Sequence, residues 1–302
     1  MLDKKLYWPK TMEEYRGKLK PRYFIPYKYL FTNKEGITAF NKVLQSDTYW
    51  VSSDSANCLK QNKAYLANLL KEYTIIELGG FDGSALNDIY SEGKKKQYKY
   101  LYINVDIGNN VKLLMEKNFK KINNVKYSVI KNNFDKIKFI KKIRTSSPKA
   151  ILFLGNTFNN YYIKKGDMWL KELYSSMNNG DILILGLDKR VSAKEHLNCY
   201  SILESGQMTM LAARAFGLPI RKLRAHFVFD QNGIHGGVKI IEDFKFKNKL
   251  YKKGNFIEVF VSLKLSIKNM IKRTSCVGFK SIKVLKSSQK HIYHLILKKD
   301  SK

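Results

Sequence analysis

Five short apolar runs constrain this chain more than any other feature. Residues 74–78, 100–105, 125–130, 150–154 and 181–185 recur at near-constant intervals, with helix-length segments such as 109–119 and 167–177 between them. That spacing is what right-handed βα crossovers need to build a mostly parallel sheet. Runs without polar alternation belong to strands covered on both faces. The fold class is therefore α/β, and ligands of such sheets gather beyond the strand C-termini.

The residues at those C-termini carry the chemistry. The first run ends in Glu77-Leu78-Gly79-Gly80-Phe81-Asp82-Gly83. A glycine turn after a buried strand lets backbone approach a ligand and offers free N–H groups, although the same turn also serves plain packing. Its spacing is not the G-x-G-x-x-G of nicotinamide enzymes. Glu77 either fixes the turn or faces a charged part of the ligand. The second run ends in Asp106, placed to accept from ribose hydroxyls or to cap a helix. After the third, Asn133 and Phe134 offer an amide and a ring to a base, or else serve loop and core. The fourth runs into Asn156-Thr157-Phe158-Asn159-Asn160, whose polar side chains point toward the same crevice.

Three sections are expected: an N-terminal arm and helical cap over 1–71, a core over 72–190 and an added α+β section over 191–302. In residues 1–30, Pro9, Pro21 and Pro26 break any long element, so this arm wraps a folded body. Helix is expected over 35–71 and 193–216, and strands over 224–230, 237–242, 257–265 and 292–297. Asn232-Gly233 and His235-Gly236-Gly237 stand where a hairpin turns.

The 44% apolar and 27% charged residues describe a folded chain, and the net charge of +31 suits polyanionic partners. A genome rich in lysine codons would produce the same excess. Cys58, Cys199 and Cys276 have neither paired nor zinc-finger spacing, which points to a reducing, intracellular and cytoplasmic setting. No apolar run is long enough to span a membrane. The five histidines, including His226, His235, His291 and His294, form no metal pattern, so none is assigned as a ligand.

Landmarks in order carry a resemblance. They are Tyr29-Leu30-Phe31 through Ala39-Phe40, Thr48-Tyr49-Trp50, Glu77-Leu78-Gly79, Val105-Asp106, Asn133-Phe134, Phe153-Leu154-Gly155 through Asn160, Gly180-Asp181 and Gly186-Leu187-Asp188. From about residue 20 onward the chain resembles the histidine-specific Nα-methyltransferases of the ergothioneine-pathway type. The resemblance implies a Rossmann-like methyltransferase core, with an added α+β substrate-recognition section, that uses S-adenosylmethionine. It implies that Gly79, Asp106, Asn133 and Phe134 line the cofactor site, to which the reading of the turn adds Glu77 and Gly80. Tyr49, Asn160 and Tyr200 match substrate-holding positions, and Asp188 is a further candidate for orientation.

The departures shape the expected substrate. Phe81 stands where the family turn has a second glycine, Asn133 replaces an acid, and Val51-Ser52-Ser53-Asp54 replaces a Thr-Arg-Thr-Glu loop. An imidazole-reading Glu-x-Ser falls within 256–262, where Glu258 and Ser262 each have Phe260 in place of the partner. A site lacking one polar partner recognises histidine poorly. The expected acceptor is accordingly a small amine or amino acid other than histidine. RNA is the alternative target, as is a non-catalytic RNA- or protein-binding role within a ribonucleoprotein. The oligomeric state stays open.

Overall fold

The computed structural model describes residues 12–14, 23–30, 34–108, 111–120, 122–289 and 291–300. Most of the expected N-terminal arm, Phe31, and the first two residues of the expected 109–119 helix lie outside them. The chain divides into two compact units: 1–53 with 190–265, and 54–189 with 266–302.

In chain order the strands are β1 (Met12–Glu14), β2 (Tyr23–Phe24), β3 (Thr74–Leu78), β4 (Tyr100–Asp106), β5 (Val125–Lys131), β6 (Lys149–Phe153) and β7 (Ile182–Asp188). They continue as β8 (Leu223–Phe229), β9 (Gly233–Ile240), β10 (Phe244–Phe246), β11 (Lys249–Tyr251), β12 (Phe256–Leu263), β13 (Lys280–Lys286) and β14 (Ile292–Lys298).

The unit containing residues 54–189 is built on a seven-stranded sheet of order β13-β14-β7-β6-β3-β4-β5. β3 to β7 run parallel, β14 lies antiparallel to β7, and β13 forms the edge antiparallel to β14. This is a Rossmann-like, mostly parallel sheet whose strand order reverses between β3 and β6, and at such a reversal the ligands of open α/β sheets bind. β3, β6 and β7 are buried along their whole length, as unalternated apolar runs require, while the edge strand β5 alternates. Ile75, Ile76 and Leu78 are each nearly or wholly buried, and each contributes about 2 kcal/mol of transfer free energy. At the opposite strand ends, Asp181 accepts from the Lys149 amide at 2.7 Å and pairs with its ammonium at 3.6 Å.

The Val51-Ser52-Ser53-Asp54 run is helical, within Trp50–Gln61, and not a loop. Asp54 serves the strand beside it: its buried carboxylate accepts from the His291 and Ile292 amides at 3.0 and 2.8 Å, anchoring the start of β14. His294 of β14 meets Cys58 at 3.2 Å, and burial pushes its imidazole down to about 4, so it stays neutral.

The other unit carries a five-stranded sheet of order β1-β8-β9-β12-β2 and the hairpin β10-β11. Its helices include Lys34–Gln45, Ala193–Tyr200 and Leu203–Ala215. Ala39, Met208, Met210, Ala212 and Ala213 form one core with Leu223, Ala225, Val238 and Ile257 of the sheet. Asn232-Gly233 does occupy the β8–β9 turn, but Gly236 and Gly237 lie inside β9 and not at a turn. A Cβ on Gly236 would sit 2.2 Å from the Phe260 ring, and one on Gly237 2.1 Å from the Ile257 carbonyl. Close approach from β12 is what requires glycine there.

None of the described helices is long and apolar enough to cross a membrane.

Candidate active site

In the large-sheet unit, the turn after β3 is held from three sides. Gly79 takes the left-handed φ of 72° and donates to the Val105 carbonyl at 2.8 Å, with the Phe134 ring 3.3 Å from where a Cβ would stand. A Cβ on Gly80 would fall 2.7 Å from the Tyr102 hydroxyl and 2.8 Å from the Glu77 carboxylate. Gly79 is therefore favoured by its left-handed φ, and Gly80 by the packing beneath the turn. Phe81 keeps a left-handed φ of 50° without being glycine, and its side chain is 41% exposed.

Asn104, fully buried in β4, secures this strained turn. Its Oδ1 accepts from the Gly80 amide at 3.2 Å, and its Nδ2 donates to the Phe81 carbonyl at 2.8 Å. Sequence reasoning missed this residue; the signal was a polar amide in an otherwise apolar strand, two positions before the terminal acid. Glu77 sits under the turn, 2% exposed, and accepts from the Tyr102 hydroxyl at 2.6 Å. Burial pushes its carboxyl up to about 7 against the opposing effect of that hydrogen bond.

Asp106 ends β4 half-buried, with Oδ1 accepting from the Gly108 amide at 2.8 Å. Asn133 is exposed, and its Oδ1 accepts from the Asp135 amide at 2.9 Å. Phe134 is buried, edge-on to Phe153 with centroids 5.3 Å apart, and its carbonyl accepts from the Trp169 indole at 2.9 Å. The ends of β3 and β4 and the segment after β5 thus place Glu77, Gly79, Gly80, Asp106, Asn133 and Phe134 at the C-terminal end of the parallel strands. Left-handed glycines at Gly79 and Gly83, a half-buried terminal acid and an exposed amide suit a nucleoside-bearing cofactor.

After β6, Asn160 ends a short 3-10 turn and is half-buried. Beside it Asn159, unassigned by the sequence reading, donates to Asp188 at 2.7 Å and to Asn156, while the Asp188 amide donates to Asn156 at 3.1 Å. Asp188, a candidate for orienting the substrate, is buried and bound into this network.

In the other unit, Ser192 and Glu195 form a capping box that starts the helix ending at Tyr200. The Tyr200 ring stands edge-on to that of Tyr49, 5.4 Å between centroids. The Tyr200 hydroxyl lies 3.3 Å from Ser262 Oγ, and Lys264 Nζ donates to both at 2.8 Å. Lys264 was missed by the sequence reading. It is 1% exposed, and its position two residues after Ser262 was the available clue.

A bulge between Glu258 and Phe260 decides what β12 presents. Glu258 pairs with Gly237, yet Phe260 pairs with Gly236 and Ser262 with Ile234. Glu258 therefore shares a sheet face with His235, and Phe260 and Ser262 share the other. Glu258 binds His235 Nδ1 at 2.6 Å, and Asp230 lies 3.2 Å from Nε2. Burial lowers the affinity of that ring for protons, but the two carboxylates outweigh it and hold His235 at about 9.

The mitomycin 7-O-methyltransferase MmcR superposes with a TM-score of 0.51 at 8% identity, covering 91% of this chain and 60% of that one. An S-adenosylmethionine-dependent methyltransferase from Clostridium acetobutylicum gives 0.49 at 8% identity, covering 88% and 98%. At such identities the likeness concerns the fold. None of the curated proteins matches this sequence. The family described as histidine-specific methyltransferase, SAM-dependent, matches residues 13–206.

That match overturns the expectation of an acceptor other than histidine. The expectation weighed only the broken Glu-x-Ser pair, whereas Ser262 shares its polar cluster with Tyr200 and Lys264. With the family matched over well over half its length, this chain belongs to the histidine-specific, S-adenosylmethionine-dependent methyltransferases.

Proposed function

We propose that the protein methylates the α-nitrogen of histidine. The match to the histidine-specific family over residues 13–206 carries the reading. The bound cofactor supplies an electrophilic methyl group on a sulfonium, and an amine in its neutral form is the nucleophile. Asp106 holds the ribose hydroxyls, the Gly79-Gly80 backbone admits the cofactor's amino-acid portion, and Asn133 meets the base edge. The family resemblance assigns Asn160 to the α-amino and carboxylate groups. Alignment of nucleophile and leaving group supplies most of such a rate enhancement, so no covalent step by the protein is needed.

The test is transfer of isotopically labelled methyl from S-adenosylmethionine to each amino acid and to total RNA, using nuclease-treated, high-salt-washed protein. Label recovered on the α-nitrogen of histidine is the expected result. Label in RNA or in a different amino acid, with none in histidine, overturns it.

A further inference from the structure

The turn after β3 holds a phenylalanine where its backbone favours glycine. The Gly83 amide donates to the Gly80 carbonyl at 2.7 Å and closes a four-residue turn, with Phe81 in its second position at φ 50°. A positive φ at a bulky residue is an outlier that persists only where the surrounding structure imposes it, and such outliers cluster at functional sites. Here two amide side chains hold it. Asn104 Nδ2 donates to the Phe81 carbonyl at 2.8 Å, and Asn118 Nδ2 donates to the Asp82 carbonyl at 3.0 Å.

Core packing does not account for the ring. The inner side of the turn is filled by Tyr102 and Phe119, which a Cβ on Gly80 or Gly83 would meet at 2.7 and 2.9 Å. Phe81 stands outside the core cluster that contains those two rings, and it is exposed.

The charge around the turn is negative. Burial is the main reason the Glu77 carboxyl is raised, and the negative charges of Asp82 and Asp106 add to it. The Asp82 carboxylate is fixed at the turn by the Ser84 amide and hydroxyl, which donate to it at 3.0 and 2.6 Å. These surroundings suit a cation. The amino-acid portion of S-adenosylmethionine, admitted at the Gly79-Gly80 backbone, joins the nucleoside through a sulfonium, and Phe81 is the next residue along the turn. The face of an aromatic ring attracts a ligand cation and offers no such attraction to a neutral thioether.

We propose that Phe81 is a cofactor-contacting residue whose ring packs against the sulfonium, so that the chain favours the cationic methyl donor over its neutral product, S-adenosylhomocysteine. The proposal rests on the placement of the cofactor at this turn under the proposed function, and not on the identity of the methyl acceptor.

The experiment is calorimetric titration of the full chain with S-adenosylmethionine and, separately, with S-adenosylhomocysteine. Phe81→Tyr keeps an aromatic face, Phe81→Leu keeps an apolar side chain without one, and Phe81→Gly removes the side chain and relaxes the turn. Thermal melting checks that each variant is folded. The quantity read is the ratio of the two affinities, in which changes to the turn that affect both ligands alike cancel. In Phe81→Leu and Phe81→Gly the ratio is expected to move about three- to tenfold toward S-adenosylhomocysteine, the size of a lost cation–π contact. In Phe81→Tyr it is expected to stay within about twofold of the unaltered chain.

A ratio that is unchanged, or that moves toward S-adenosylmethionine, in either Phe81→Leu or Phe81→Gly overturns the role of the ring and leaves the proposed function standing. A shift in Phe81→Tyr as large as that in Phe81→Leu also overturns it, because loss of an aromatic face is then not the cause. Binding of neither ligand by the unaltered chain overturns the cofactor placement and the proposal with it. Should Phe81→Leu fail to fold, Phe81→Gly, which removes the left-handed strain, decides alone.

Discussion

Replacing Glu77 with Gln should flatten the pH dependence of stability by a calculable amount. Burial moves this carboxyl from an ordinary value of 4.5 to about 7, so the folded chain holds a proton there that the unfolded chain has already released. Stability from this group is fully present below pH 4.5 and is lost as pH rises through 7. Linkage over that window gives a loss of about 2–3 kcal/mol between pH 5 and pH 8. Glutamine keeps an oxygen to accept from Tyr102 but does not titrate. Urea unfolding of both proteins at pH 5 and 8 isolates the difference, since titration of His235 and His294 is common to both. The unaltered protein should lose about 2–3 kcal/mol more than Glu77→Gln over this interval. Parallel pH dependences would refute the assignment of a buried, proton-holding carboxyl under the turn after β3.

Three further outcomes follow from the geometry. Asn104→Ala leaves the Gly80 amide and the Phe81 carbonyl without their partner, which should cost about 2 kcal/mol in urea unfolding and weaken S-adenosylhomocysteine binding about tenfold by calorimetry. Phe81→Gly removes a left-handed non-glycine residue and should raise stability by about 1 kcal/mol, whereas Phe81→Ala, which keeps a Cβ at φ 50°, should not; thermal melting separates them. Gly236→Ala drives a methyl into the Phe260 ring and should cost about 1–3 kcal/mol, with Phe260→Leu restoring part of the loss in the double variant; additive losses would show that the two do not compete for the same space.

β3, β6 and β7 were legible because they are unalternated apolar runs with glycine or polar punctuation, a local signal, whereas the lysine-rich edge strand β13 gives no such signal. β3 lies at residues 74–78 as expected, and β4 to β7 lie within a few residues of their expected positions. Where a strand goes is not a local property: residues 292–297 read plainly as a strand, but nothing in them reveals pairing with β7. The positions of the candidate cofactor residues at strand ends were legible because they follow from where the apolar runs stop. Asn104 and Lys264 were not, because a polar residue inside an apolar run announces only that it has a partner. Their partners, Gly80, Phe81, Tyr200 and Ser262, are supplied by the fold. The acceptor expectation rested on Glu258 and Ser262 each having Phe260 in place of its partner, and the match to the histidine-specific family overturned it.

The irregularity at Val259 has a consequence for how chains of this kind diverge. Since Glu258 and Phe260 already oppose adjacent residues of β9, deleting Val259 would leave every neighbouring side chain on its present side. This strand can thus gain or lose one residue while both surfaces persist. An alignment that forbids a gap there will compare the acidic lining of one surface with the hydroxyl lining of the other.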